Sequence, residues 1–228
     1  MLTPRTKLRR VPGRGAHDRE TIDAILDEAL ISHLAFVHDG RPAVIPTLHA
    51  RAGDEVYIHG SAASRALRTL AGGLEACLEV TLVDGIVLAR SAFHHSINYR
   101  SAILYGSARA VEDPAERERA LEAFTDRLVP GRWAHVRPPS PKELKATAVL
   151  ALPIAEGSAK VRSGPPLDDD EDYALDAWAG VVPLSLTTHE PEPDPRLREG
   201  IATPGHVQDL TSPKASATKE LLAWQAKP

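Results

Sequence analysis

The chain has a single cysteine, Cys77, in 228 residues. That excludes an intrachain disulfide and any cysteine cage for zinc. Aromatic residues are scarce, at 4% against 43% hydrophobic residues in all, so Ala, Val, Leu and Ile must carry the packing. No apolar run approaches the roughly 20 residues needed to cross a bilayer. The basic opening MLTPRTKLRRVPGRGAHD has no apolar segment behind it and does not read as a secretory signal. The expectation is a soluble, cytoplasmic protein with no membrane partner. A concentrated basic face is also lacking: the formal charge is −4 with Lys and Arg scattered, which argues against a nucleic-acid partner. GxGxxG after a first strand, a Walker loop and HExxH are all missing. A dinucleotide-binding Rossmann domain, a P-loop and a zinc hydrolase site are thereby disfavoured.

What is present is organised around Val56–Leu70, VYIHGSAASRALRTL. Val56 to His59 read as a short strand, Gly60 to Ala63 as a turn of small residues, and the remainder as a helix. Ser61 is the expected N-cap, its hydroxyl accepting an amide of the first turn. With Ser64 and Arg65 alongside, the turn reads either as an anion site suited to a phosphate or as an ordinary capped helix with a solvated arginine.

Before this stretch, residues 1–17 are rich in Arg, Pro and Gly and predict a flexible arm, or one that packs on a partner subunit. Asp18 opens a helix whose Ile22, Ile25, Leu26, Ala29 and Leu30 form one apolar stripe. From Ile31 the period becomes two, with hairpin signals at Asp39-Gly40 and Gly53-Asp54. Pro46 marks a bulge or an open edge. After Gly72-Gly73 the strand pattern resumes, with a third hairpin signal at Asp84-Gly85. His94–Arg100 reads as a polar connection and SAILYGSARAVE as a strand. Asp113-Pro114 opens a helix with Leu121, Phe124 and Leu128 buried, ending at Pro130-Gly131. A short helix and one strand follow. Asp168–Asp172 reads as a solvated acidic loop and Val181–Leu186 as a last strand. The organisation expected is a domain over 18–188 and a largely disordered or surface-wrapped tail over 189–228. Strands this close together leave no room for helical crossovers, so the fold is mainly β, an antiparallel barrel carrying helices.

HLAFVHDGRPAVIPTLHA, VYIHGSAASRALRTL, FHHSINYRSAILYGSARAV, LVPGRW and SAKVRSGPP occur in that order. In this the chain resembles the FMN-binding split-barrel proteins related to pyridoxamine 5′-phosphate oxidase, and within them the nitroimidazole-resistance flavoproteins. The resemblance implies a six-stranded antiparallel split β-barrel with peripheral helices, and a homodimer with its cofactor at the interface. It implies FMN, its phosphate gripped by Ser61, Ser64 and Arg65. A parallel second strand, here Val44, Ile45, Pro46 and Thr47 to Leu48, would lie along the isoalloxazine edge. His59 falls where some relatives place a histidine near the flavin, which makes it the candidate catalytic residue; the alternative is a strand histidine bonded within the barrel. Tyr99, Arg100 and Ser101 match a segment that can serve the partner's cofactor, with an interface salt bridge as the other reading of Arg100. Lys160 and Arg162 are candidates for phosphate or reduced-flavin contact.

The substrate-phosphate arginines of true pyridoxamine phosphate oxidase have no clear counterpart, which speaks against vitamin B6 oxidation. The function implied is an FMN-dependent oxidoreductase reducing a small electron-poor molecule, a nitro compound or quinone, with a nicotinamide donor. A flavin-binding module without turnover shares the same features. Haem in place of flavin is a further alternative, with His49, His59, His94 and His95 as possible axial ligands. A deazaflavin would fit the same basic cradle. No metal site is expected.

Overall fold

The computed structural model describes residues 1–211. Among them nine strands are arranged in one hydrogen-bonded order, and every register given below is antiparallel. The chain groups into two units: Met1–Leu82 with Tyr99–Leu128 and Trp133–Arg162, and Val83–Asn98 with Val129–Arg132 and the chain from Ser163 onward.

In the first unit, β1 (Gly15–Ala16) precedes helix α1 (Arg19–Glu28), whose N-cap Asp18 accepts the Thr21 amide. Strands β2 (Ile31–His38) and β3 (Arg41–Ala52) form a hairpin from Ile31↔Leu48 to His38↔Arg41. Its turn is Asp39-Gly40, with φ of 49° and 70°. Two left-handed residues in a two-residue loop match the twist of the strands they join. A second hairpin leads through Gly53 (φ 60°) to β4 (Glu55–Ser61). Helix α2 (Arg65–Ala71) follows, then β5 (Gly72–Leu88) and β6 (Ser96–Ala110). Helix α3 (Pro114–Leu128), helix α4 (Pro141–Ala146), β7 (Thr147–Pro153) and β8 (Glu156–Arg162) complete the unit.

The pairings β6–β7–β4–β3–β2–β5, with β5 pairing β6 in turn, close a ring of six strands. This is the split-barrel fold. Strand β8 lies on β6, with β1 on its far edge. Strand β3 runs antiparallel to both β2 and β4, which corrects the parallel second strand. Inside the ring Leu34, Val56, Ile58, Leu78, Leu104 and Leu152 are buried with Ile22, Ile25 and Leu26 of α1. A second core on the other face of β3, β4 and β7 packs Ala50, Tyr57 and Val149 against Ala120 and Phe124 of α3. Leu128, expected in that core, is half exposed. The Tyr57 hydroxyl lies 3.1 Å from Glu55 and 3.1 Å from Glu116, and Arg109 bridges the same two carboxylates. Burial and then Glu55 push its phenol up to about 12.

Residues 1–17 lie against the ring. Thr6 is buried, and Gly15 pairs with Lys160. Thr3 donates to Glu156, which also holds Arg5.

In the second unit, Gly85–Leu88 pairs with β9 (Gly180–Pro183). Asp84-Gly85 is therefore not a hairpin, because β5 continues through it to meet a partner strand. His94 and His95 sit in a short loop, but Ser96 to Arg100 are strand. Asp168 is not a solvated residue of an acidic loop: its side chain is enclosed, pairs with Arg90 at 3.0 Å and accepts the Arg90 and Ser91 amides. Helix α5 (Gly205–Gln208) lies further on. The part of the expected tail over 212–228 lies outside the described residues. No helix among those described is long and apolar enough to cross a membrane.

Candidate functional site

The ring opens where β3 and β4 part. Strand β4 pairs with β3 only at His49–Ala52, so Arg41–Leu48 pair with β2 alone on that register. On the β4 side, His59, Gly60 and Ser61 keep only β7, opposite Val149, Ala148 and Thr147. Val44 to Thr47 thus present an unladdered backbone edge, and Val44 is 61% exposed. Pro46, opposite His33, gives up no ladder bond on that side.

The turn after β4 is built from serines. Ser61 Oγ accepts the Ala63 amide and its carbonyl takes the Ser64 amide. Ser64, not Ser61, caps α2, its Oγ accepting from the Leu67 amide at 3.4 Å. The cap falls three residues late because the small-residue turn spends one bonded loop before the helix starts. Arg65 is exposed and lines a concavity of about 500 Å³ with His38, Asp39, Arg41, Pro42 and Ala43.

His59 projects to the outer face, as Tyr57 does. Its ring meets Phe124 at 4.2 Å between centroids, and its Nδ1 is buried without a hydrogen-bond partner. Burial lowers its pKa, so the imidazole is neutral near pH 7. It borders a pocket of about 460 Å³ lined with Leu121, Thr125, Trp133, Val136 and Leu144. The polar neighbours there are already engaged. Thr125 donates to Leu121 O, Thr147 to Glu143 O, and Arg137 pairs with Glu143 at 2.6 Å. Trp133 is fixed by its amide on Asp126.

The remaining candidates form a separate group on the β6–β8 ladder: Tyr99 opposite Arg162, Arg100 opposite Val161, Ser101 opposite Lys160. The Arg100 side chain is enclosed and makes a bidentate pair with Glu28 of α1. Arg162 is also buried, and burial, then Arg14, lowers its pKa. This group meets β6 about eight residues before Arg109, where β6 reaches β7. That is roughly 25 Å of extended strand.

The four histidines weighed as axial ligands differ. His49 is fully buried with Nε2 2.9 Å from Leu26 O. In the second unit, His95 is bonded to Ser91 O and His94 faces Asp169 at 3.4 Å. His59 joins an unpartnered buried nitrogen to a pocket, whereas His49, with a like nitrogen, is fully enclosed. Arg41, His38 and Trp133 had no assigned role from sequence, and Phe124 was expected only in the core; the placement of Arg41 directly after Asp39-Gly40 was the available signal.

A six-stranded ring with an opened β3–β4 seam defines a split-barrel protein of the flavin-enzyme type of fold. A profile of the Pyridoxamine 5′-phosphate oxidase family matches residues 18–161. The chain is similar to the flavocytochrome Anf3 from Azotobacter vinelandii, at 44% identity and TM-score 0.86, over 91% of this chain and 96% of that one. It is similar to an FAD and haem binding protein from Mycobacterium smegmatis, at 43% identity and TM-score 0.83, over 87% and 97%. A candidate 5-nitroimidazole antibiotic resistance protein from Bacteroides thetaiotaomicron shares the fold at 20% identity and TM-score 0.55, over 64% and 86%. No curated protein matches. The chain belongs to the pyridoxamine 5′-phosphate oxidase family.

Proposed function

We propose that this chain is a redox protein that binds a flavin and a haem. The observation that carries the reading is His59: a neutral imidazole with an unpartnered buried nitrogen, beside a pocket walled in part by Leu121, Trp133, Val136 and Leu144, whose other polar groups Thr125, Arg137, Glu143 and Thr147 are engaged with one another or with backbone carbonyls. The residues fit haem, because a neutral histidine nitrogen is a usual axial ligand and an apolar wall suits a macrocycle. Support also comes from two proteins 44% and 43% identical that are described as a flavocytochrome and as an FAD and haem binding protein.

For the flavin, Ser61, Ser64 and Arg65 hold the phosphate and the Val44–Thr47 edge offers amides and carbonyls to the ring system. When bound, the two groups supply hydride and single-electron chemistry. The chain's part is to hold them, to shut water from His59 with Phe124 and Trp133, and to keep that imidazole unprotonated. A nicotinamide donor and a small electron-poor acceptor, a nitro compound or quinone, complete the reading of an oxidoreductase. The reading also includes a homodimer. The distance along β6 between the two groups of candidates supports Tyr99, Arg100, Ser101, Lys160 and Arg162 serving the partner's cofactor.

The test is the absorption spectrum of the purified protein with mass identification of what heat releases. Flavin bands and a Soret band are expected, with the Soret band lost in His59→Ala and kept in His49→Gln. A flavin spectrum with no Soret band, even after haemin is added, would reduce the reading to a flavoprotein. A protein that binds neither group would end it.

A further inference from the structure

We propose that His94, Asp169 and Asp172 form a binding site for a divalent transition-metal ion, for which zinc is the best match. One donor atom from each of the three lies within 4.8 Å of the others, and all three residues belong to the second unit. The expectation of no metal site came from spacing motifs, whereas this set is assembled from two loops far apart in the chain. The site is independent of the flavin and haem reading.

Its spacing is that of ligands around a metal and not that of a salt bridge. His94 Nε2 stands 3.4 Å from Asp169 Oδ2, with no hydrogen bond between them. A charge-assisted N–H···O contact closes to about 2.7–2.9 Å. Two donors that each lie about 2.1 Å from a tetrahedral zinc are instead about 3.4 Å apart. Among the described residues, neither Asp169 nor Asp172 meets a lysine or arginine. Arg90, the guanidinium on the same two loops, is held by Asp168 at 3.0 Å and lies 4.7 Å over the Tyr173 ring. Two carboxylates this close, with no fixed cation, repel each other, and a dication between them removes that repulsion. The imidazole selects the metal. An all-oxygen set suits magnesium or calcium, while one nitrogen with two carboxylates suits zinc and its neighbours.

The donors are held in place by contacts outside the set. Asp168 accepts the Arg90 and Ser91 amides, which ties the residue before Asp169 to the chain leading into His94. The His94 amide donates to Ser91 O at 3.2 Å, and its ring meets the Phe93 ring edge-on at 5.2 Å. The Asp172 amide donates to Asp169 O at 2.9 Å, so both carboxylates leave one short turn. Asp169 is exposed, which gives an ion a way in from solvent. Three protein donors leave a fourth position for water.

Calorimetric titration of Zn²⁺ into the full chain, first stripped of metal with a chelator and dialysed, tests this. Saturable binding of a single Zn²⁺ is expected, with Mg²⁺ in about tenfold excess unable to compete. His94→Ala and Asp172→Asn should each weaken binding by more than about 100-fold, beyond what loss of an outer-shell partner costs. His95→Ala removes a ring bonded to Ser91 O and should leave the affinity within about twofold of wild type. Zn²⁺ should raise the melting temperature of the wild type and leave that of His94→Ala unmoved. Matching melting curves without metal will show the variants folded, and Asp169→Asn, at the exposed ligand, carries the test if His94→Ala does not fold. No saturable Zn²⁺ binding, affinity unchanged in His94→Ala or Asp169→Asn, or displacement of Zn²⁺ by Mg²⁺ would each overturn the site. A Soret band lost in His94→Ala would also overturn it, by making His94 a haem ligand.

Discussion

His49 and His59 stand on neighbouring strands, His49 paired with Ile58, yet face opposite ways. Both have an Nδ1 that is buried and unpartnered, and both have a pKa lowered chiefly by burial. His49 points to α1, where it ties the helix's end through Leu26 O, and is fully enclosed. His59 points to α3, rests on Phe124 and borders open volume. An orphaned nitrogen is therefore not by itself a mark of function. What separates the two is an adjoining space that something else can fill.

That contrast can be broken at several points. Phe124→Ala should cost most, about 3–5 kcal/mol, because the ring is core as well as support for His59. It should also loosen whatever His59 ligates, and urea melts with matched spectra would show both. His49→Ala should cost about 2–4 kcal/mol, from the cavity and from the stranded Leu26 carbonyl. Its cofactor content should be that of the wild type at equal folded fraction. A Soret band that vanishes with His49 and survives loss of His59 would reverse the comparison.

Acid should act on both imidazoles. Each is held below its ordinary value of 6.5 in the fold, so the unfolded chain binds the proton more readily. The stability each contributes is complete above about pH 6.5 and is lost as pH falls through the folded value, with a slope of up to about 1.4 kcal/mol per unit for each proton. Melting temperature should fall from pH 7 to pH 5, and His49→Gln should flatten the curve. A curve of unchanged slope in that variant would show His49 to be no part of it. The smallest effect is expected for His59→Ala, within about 1 kcal/mol of wild type in stability. A larger loss would make His59 a structural residue like its neighbour.

Much of the ring was legible because its turns are written in residues with one purpose. Asp39-Gly40 takes the left-handed pair a two-residue hairpin needs, Asp18 caps α1, and Asp113 accepts the Glu116 amide at the start of α3. The same dipeptide misled at Asp84-Gly85, since a strand continues through turn-prone residues when another strand, β9, is there to pair with it. The β7–β8 hairpin was read as one strand, because its turn at Ile154-Ala155 has none of the usual turn residues. Asp168 in an acidic run looked solvated; only the fold reveals Arg90 opposite it, 78 residues away in sequence. The site was less legible for the same reason. Arg65 and Arg100 are alike in sequence, but Arg100 is closed on Glu28 while Arg65 faces open volume. Which arginine is engaged depends on a partner brought from another element.

The unladdered edge of β3 carries a hazard as well as an opportunity. A strand with unspent amides and carbonyls is a template on which a neighbouring copy can add a strand, the first step of aggregation. Here Pro42 and Pro46 interrupt the edge at alternate-register positions and have no amide hydrogen to offer an intruding chain. The exposed backbone is thus interrupted often enough to discourage sheet growth, yet continuous enough between the two prolines to be grasped by something small.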